Sequence, residues 1–273
     1  MNLTAKLFPA RKMILDNGKE ITEPRSKTPL ILLLLAAAMI LSAKITGFNL
    51  AIILERGYQF FVIIGQMFPP KWSYLDRIWS PLLDTIKMSL LGSAVGSLLV
   101  VPFSIAASSN IIKNRLVLFS VRLFLSVVRT LPTLVSALVA TYVFGFGTLA
   151  GTFAIAVFTF AYVGKQLYEL IETVDMGAYE AMEAMGAGKL RSFLTAILPQ
   201  VMPTYLSTCL FCFEGNVRYA SILGYVGAGG LGVLLNEKIG WREYSSVGMI
   251  LIALFLTVVL VEGLSHYLRT KLT

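Results

Sequence analysis

Gly227-Ala228-Gly229-Gly230-Leu231-Gly232 satisfies the letters of the G-x-G-x-x-G dinucleotide fingerprint, whose glycines bring backbone amides close to a pyrophosphate. That chemistry needs a strand before the motif, a helix after it and an acidic residue about 20 positions further on. Here that position falls inside a long apolar stretch. Gly227, Gly229, Gly230 and Gly232 are instead expected to allow close backbone packing or irregular backbone, which a bilayer tolerates only inside protein or beside water. A phosphate-cradling G-x-x-x-x-G-K-[ST] loop is also missing, because Gln166 follows Gly164-Lys165, Leu190 follows Gly188-Lys189, and neither pair has the earlier glycine. No ATP hydrolysis is expected in this chain. Cys209 and Cys212 form a C-x-x-C on an apolar helix, with no second pair and with the single His266 far away. They read as small core residues, and neither a metal nor a cofactor is expected. No Ser-His-Asp set or carboxylate pair can be argued from the spacings, so no catalytic residue is assigned.

Ionisable residues within apolar stretches carry more information, because a charge in hydrocarbon is costly and such groups face a bundle interior or a water path. Arg218, Glu214, Arg129, Lys165 and Lys87 are of this kind. Asn216, Glu214, Arg218 and Arg129 form the candidate pathway set. For Arg129, just before Pro132, a structural role in satisfying a helix break is the preferred reading. Arg218 has two readings, a donor facing the path or the partner of Glu214, which precedes it by one helical turn in the favourable i, i+4 order.

The segment Glu180-Ala181-Met182-Glu183-Ala184-Met185-Gly186 is a contact surface by composition. Ala178, Ala181, Met182 and Met185 recur at i, i+3, i+4, i+7, which makes one narrow apolar face, and Gly186 supplies the stop. A helix of about three turns is marginal alone in water. Residues 172–186 hold Glu172, Asp175, Glu180 and Glu183 and no base. A helix lying on anionic lipid carries Lys and Arg on its polar face, so a protein partner fits better.

The elements that position these residues are membrane helices. Hydrophobic residues make up 56% of the 273 and charged residues 14%, too few charges to coat a soluble globule. Apolar stretches of the roughly 20 residues needed to span a bilayer lie at 28–47, 82–108, 117–144, 149–171, 195–217 and 246–268. The third is interrupted by Arg122, Arg129 and Pro132, which predicts a broken helix. The polar first 27 residues and the length of the first apolar run argue against a cleavable signal peptide. Basic residues at the N-terminal tail, Lys113, Arg115, Lys189, Arg191, Arg269 and Lys271 place both termini and the Glu180 loop in the cytoplasm. The expected organisation is a cytoplasmic tail 1–27, a first span 28–47, an extracytoplasmic interfacial segment 48–80, a core 81–268 with its loop at 175–199, and a cytoplasmic tail 269–273. Segment 48–80 owes that reading to Pro69, Pro70, Trp72, Tyr74 and Trp79. The net charge of +8 is spread over cytoplasmic flanks and calls for no nucleic acid.

Glu180 to Pro199 resembles the EAA coupling loop of bacterial ATP-binding-cassette importer permeases, with Leu198-Pro199 at its end. It departs from that pattern at Met182, where alanine is usual, and at Ala196, where isoleucine is usual. Arg129-Thr130-Leu131-Pro132, Tyr162-Val163-Gly164-Lys165 and the run from Arg218 to Gly232 resemble the phosphonate-importer permease family. The resemblance covers roughly residues 68–268; residues 1–27 resemble nothing. It implies an all-α type I importer core, like that of methionine importers, in a bacterial inner membrane. It also implies a cytoplasmic ATPase dimer that binds ATP and magnesium and grips Glu180, Ala181, Met182, Gly186, Leu198 and Pro199. An extracytoplasmic phosphonate-binding protein and a second permease copy complete the implied assembly, since one chain has too few helices to enclose a solute. Arg218 belongs to the stretch shared with the phosphonate branch, and a guanidinium matches phosphate-like oxygens. The expected function is import of phosphonate or a related oxyanion, phosphite or phosphate, without catalysis by this chain. The alternatives are a permease for another small solute such as an amino acid, or an ion-coupled secondary transporter, although the inverted repeats typical of the latter are not seen.

Overall fold

The computed structural model describes residues 12–14, 20–22 and 28–272. Two compact units divide the chain, 1–62 and 63–273. In the first, strands β1 (Lys12–Ile14) and β2 (Glu20–Thr22) pair antiparallel, Met13 opposite Ile21. Every described element from Thr28 onward is helical, as expected of an all-α core, and the hairpin lies before it. The sequence Asn17-Gly18 between the strands is a hairpin-turn signal. Helix α1 (Thr28–Ile45) is long and apolar enough to cross a membrane, and none of its residues is buried within the chain. Helix α2 (Leu50–Arg56) is capped by Asn49, whose Oδ1 accepts the Ala51 amide at 3.0 Å. Helix α3 (Tyr58–Gln66) follows.

The second unit is built on α4 (Leu75–Ala107), α5 (Arg115–Thr130), α6 (Thr133–Phe144), α7 (Thr148–Glu172), α10 (Leu198–Leu223) and α12 (Tyr244–Leu272). A 3-10 turn at Trp72–Tyr74 leads directly into α4. Residues 72–80 are therefore helical, and the core begins before residue 81. The continuous Trp72–Ala107 segment has 36 residues, well beyond the roughly 20 that a bilayer requires, so its end projects past the hydrocarbon. The sequence expectation stopped at the prolines and aromatics; Pro81 is in fact accommodated inside α4. At the other terminus α12 runs to Leu272, so most of the expected tail is helical.

Helices α5 and α6 form a bent pair with an angle of 87° between them. The break lies at Leu131-Pro132, both extended, with ψ of 119° and 135°. A residue before proline is pushed out of the α region, and proline has no amide to continue the ladder. Together with α1, α4, α7, α10 and α12 this bent pair gives up to six crossings among the described residues.

The most extensive packing joins α4 to α7. A Cβ on Gly92 would meet Ile155 Cγ2 at 2.7 Å, and one on Gly96 would meet the Ala156 carbonyl oxygen at 2.5 Å. Small residues four apart let two backbones approach where lipid offers no hydrophobic drive between helices. Short helices complete the unit: α8 (Gly177–Ala184) and α9 (Lys189–Ser192) in the connection from α7 to α10, and α11 (Leu231–Gly240) before α12. A π turn at Phe193–Ile197 joins α9 to α10.

Candidate functional site

The connection between α7 and α10 begins at Asp175, whose Oδ1 accepts the Gly177 amide at 2.9 Å. It thereby satisfies one of the open donors at the start of α8. Glu180 lies in the first turn, where the positive end of the helix dipole favours a carboxylate. The helix stops at Gly186, with φ of +88°. The Gly186 amide bonds the Glu183 carbonyl at 2.9 Å and the Ala187 amide bonds the Met182 carbonyl at 3.0 Å. These two bonds are a Schellman ending, which favours glycine at the left-handed position.

The buried face of α8 differs from the expected stripe. Tyr179 is its buried residue and packs with Leu167, Ile171, Phe193, Ile197 and Val201, with Met182 and Leu198 against the same cluster. Ala178 and Ala181 are exposed, and Met185 is 79% exposed. The π turn presents Phe193 and Ile197 to the Tyr179–Met182 side, where a large ring buries more apolar area than two alanines. The Tyr179 hydroxyl donates to Glu183 Oε1 at 3.1 Å. Burial, then the Glu183 carboxylate, pushes its pKa above the ordinary 10.0. Glu180, Ala181, Met185, Gly186 and Pro199 remain on the surface.

Of the pathway candidates, Asn216 is 1% exposed. Its Nδ2 donates to Ser93 Oγ at 2.8 Å and Thr159 Oγ1 at 2.9 Å, and its carbonyl accepts from Ser89 Oγ at 3.3 Å. Within one chain it ties α4, α7 and α10 together, and does not face an open path. Arg218 is paired with Glu214 and lies 3.8 Å from Glu262, while half of its side chain stays exposed. Glu214 is buried and also binds Arg269 at 3.3 Å. Arg129 is exposed and its side chain makes no bond to the break among the described residues. Its expected role there is corrected: Leu131 N to the Val128 carbonyl at 3.2 Å and Val135 N to the Pro132 carbonyl at 2.9 Å satisfy the backbone instead. Lys165 pairs with Glu169 at 3.3 Å and Lys87 with Asp84 at 3.8 Å.

The glycine run connects a 3-10 turn at Gly224–Val226 to α11, with no strand before it. A Cβ on Gly232 would lie 2.1 Å from the Ser221 carbonyl oxygen, and the Gly147 amide bonds the Gly227 carbonyl at 3.0 Å. Close backbone packing is what these glycines permit. The two cysteines are free, and no cluster of His, Cys, Asp and Glu able to hold a metal occurs among the described residues.

Two polar junctions escaped the sequence reading. At the α11 end, Lys238 is almost buried and bonds Glu243 at 3.2 Å and Glu237 at 3.4 Å. At the α8 end, Glu172 accepts from Ser109 and Arg122. Charge alone marked neither, since the partners are remote in sequence or embedded in polar surroundings.

The profile of the binding-protein-dependent transport system inner membrane component family matches residues 100–273. The chain belongs to this family. Similar inner membrane components include the phosphate-import permease protein PhnE of Mycolicibacterium smegmatis, 33% identical over 77% of this chain. The phosphite transport system permease protein PtxC of Stutzerimonas stutzeri is 33% identical over 76% of this chain and 75% of its own length. This chain spans only 40% of the length of the mycobacterial relative. Among solved structures, an inward-facing MetNI methionine ABC transporter gives a TM-score of 0.66 at 20% identity, covering 74% of this chain and 99% of that one. The likeness establishes a type I importer fold for this inner membrane component. The family match also contains the whole of the α7–α10 connection.

Proposed function

We propose that this chain is the membrane-spanning permease subunit of an ATP-driven importer for phosphonate or a related phosphorus oxyanion, phosphite or phosphate. The observation that carries the reading is the α7–α10 connection: a short helix bolted to the core by Tyr179 and Met182, stopped by Gly186, with Glu180, Ala181 and Met185 left open. Such a lever transmits force only if something outside the chain grips it. Cytoplasmic ATPase subunits, which hold the ATP and magnesium, are that partner, and this chain itself binds no nucleotide. Two copies of the permease enclose the path, both termini lie in the cytoplasm, and an extracytoplasmic binding protein delivers the solute. The substrate class is supported by relatives named for phosphate and phosphite import. The half-exposed Arg218 supplies a guanidinium that suits an oxyanion.

Copurification from native membranes, followed by reconstitution with the ATPase and binding protein, tests this reading. ATP-dependent accumulation of phosphite, phosphate or methylphosphonate is expected. Accumulation by the permease alone, with no ATPase added, would overturn it.

A further inference from the structure

Two helices and a loop meet on one carboxylate at the α8 end of the core. Glu172, the last residue of α7, accepts the Ser109 amide at 2.7 Å, the Ser109 hydroxyl and one Arg122 guanidinium nitrogen. Arg122, on α5, donates its Nε to the Ala107 carbonyl at the end of α4, at 2.8 Å, and lies 5.0 Å from the centre of the Tyr168 ring. The neighbouring Asn110 donates Nδ2 to the Ile171 carbonyl at 2.7 Å and to Met176 Sδ at 3.3 Å, just before α8. Ile111, from the same loop, packs against the cluster that holds Tyr179. The junction thus touches α4, α5 and α7 on one side and the start of α8 on the other.

Stability alone is a poor reason for this chemistry, because a partly exposed ion pair contributes little to it. Directional, charge-assisted bonds add a discrete arrangement that is either made or broken. The pair is also not enclosed by protein: the side chains of Arg122 and Glu172 keep 36% and 24% exposure. Arg122 lies on the half of the bent pair that leads, through the 87° break, into α6. Helix α6 in turn packs Ala137 and Ala140 beside Ala228 of the glycine run, at the far end of the core. A displacement of α8 carried by Met176, Asn110 and Glu172 therefore has a continuous path to that far end.

We propose that Glu172 is a positioning residue that, through Arg122 and Ser109, links movement of α8 to the bent α5–α6 pair. This rests on the coupling role of α8 given under the proposed function. Separating the two requires a readout that protein loss does not move, namely solute accumulated per ATP hydrolysed. The complete complex of permease, ATPase and binding protein is reconstituted in liposomes, with phosphite as probe. Glu172→Gln keeps the shape and the acceptor but removes the charge. ATPase binding and hydrolysis should persist while phosphite per ATP falls at least about tenfold, within the usual range of coupling between distant sites. Arg122→Lys keeps a charge but loses the fork geometry, and should fall less. An unchanged ratio in Glu172→Gln overturns the proposal, as does a fall of hydrolysis in step with uptake in the assembled complex. If Glu172→Gln does not assemble, Ser109→Ala decides, since it removes one hydroxyl: a lowered ratio supports the link and an unchanged one overturns it. Wild-type accumulation without the ATPase would sink the coupling reading itself, an outcome distinct from all of these.

Discussion

The hydroxyl of Thr85 accepts the amide of Leu231 at 2.7 Å, across 146 positions of sequence. The same hydroxyl donates to the Pro81 carbonyl at 2.9 Å, so one small side chain serves α4 and the first amide of α11 together. Leu231 is fully buried, and water does not replace that acceptor. Thr85→Val is close in shape but leaves the amide unpaired, at a cost of about 1–3 kcal/mol. Thermal unfolding in detergent should show a lowered Tm for Thr85→Val and recovery for Thr85→Ser.

Gly186 and Gly232 should fail in different ways. At Gly186 an added Cβ meets nothing within 4 Å, and only the φ of +88° opposes substitution. Gly186→Ala should cost about 1–2 kcal/mol, the left-handed penalty of an L-residue, and leave the chain in the membrane with weakened ATPase copurification. Gly232→Ala drives its methyl to 2.1 Å from a backbone oxygen, which close-packed interiors do not absorb. Membrane-inserted protein should drop sharply for Gly232→Ala alone, as measured by quantitative immunoblotting of membranes.

Glu214 makes the effect of Arg218 non-additive. In Arg218→Ala the buried carboxylate keeps Arg269 at 3.3 Å, so the loss of stability should stay below the roughly 3–5 kcal/mol of a fully orphaned buried charge. Adding Arg269→Ala removes that second partner, and the double variant should lose more than the sum of the single ones. Denaturation of the three variants measures this. If Arg218 also guides the oxyanion, uptake per molecule falls in Arg218→Ala while Tm changes little.

Much of this architecture was legible because hydrocarbon imposes long apolar runs and because Pro132 and Gly186 act through their own backbones. The break in the third span and the stop of α8 needed only local chemistry. Tyr179 was missed because helical spacing ranks residues by type, whereas the π turn carrying Phe193 and Ile197 decides which side of α8 is covered. Glu172 was read as part of an acidic stretch; its partners Ser109 and Arg122 lie 63 and 50 positions away. Asn216 was placed on a path by sequence, yet its partners Ser93 and Thr159 come from two other helices. Pairings of this kind depend on how helices rotate against one another, which small-residue contacts such as Gly92 and Gly96 set and which no single stretch reveals.

The pair of Lys238 and Glu243 predicts a pH dependence outside the spans. Hydrogen bonds from Lys238, with a smaller contribution from Ser246, outweigh burial and hold the Glu243 carboxyl below its ordinary 4.5. Burial alone would lower Lys238, but its bonds to Glu243 and Glu237 and the nearby Tyr74 raise it above 10.5. A depressed carboxyl stabilises the fold above its unfolded pKa and loses that contribution as pH falls through the lowered folded value. A raised ammonium contributes below its unfolded pKa and loses the contribution as pH climbs through the raised folded value. The pair should therefore give a plateau between 4.5 and 10.5 with a decline beyond each end. Glu243→Gln should lower Tm across the plateau, and the difference from the parent protein should shrink as pH falls below 4.5. A Tm difference that stays constant through the acid range would mean that the Glu243 charge contributes nothing to holding α11 against α12.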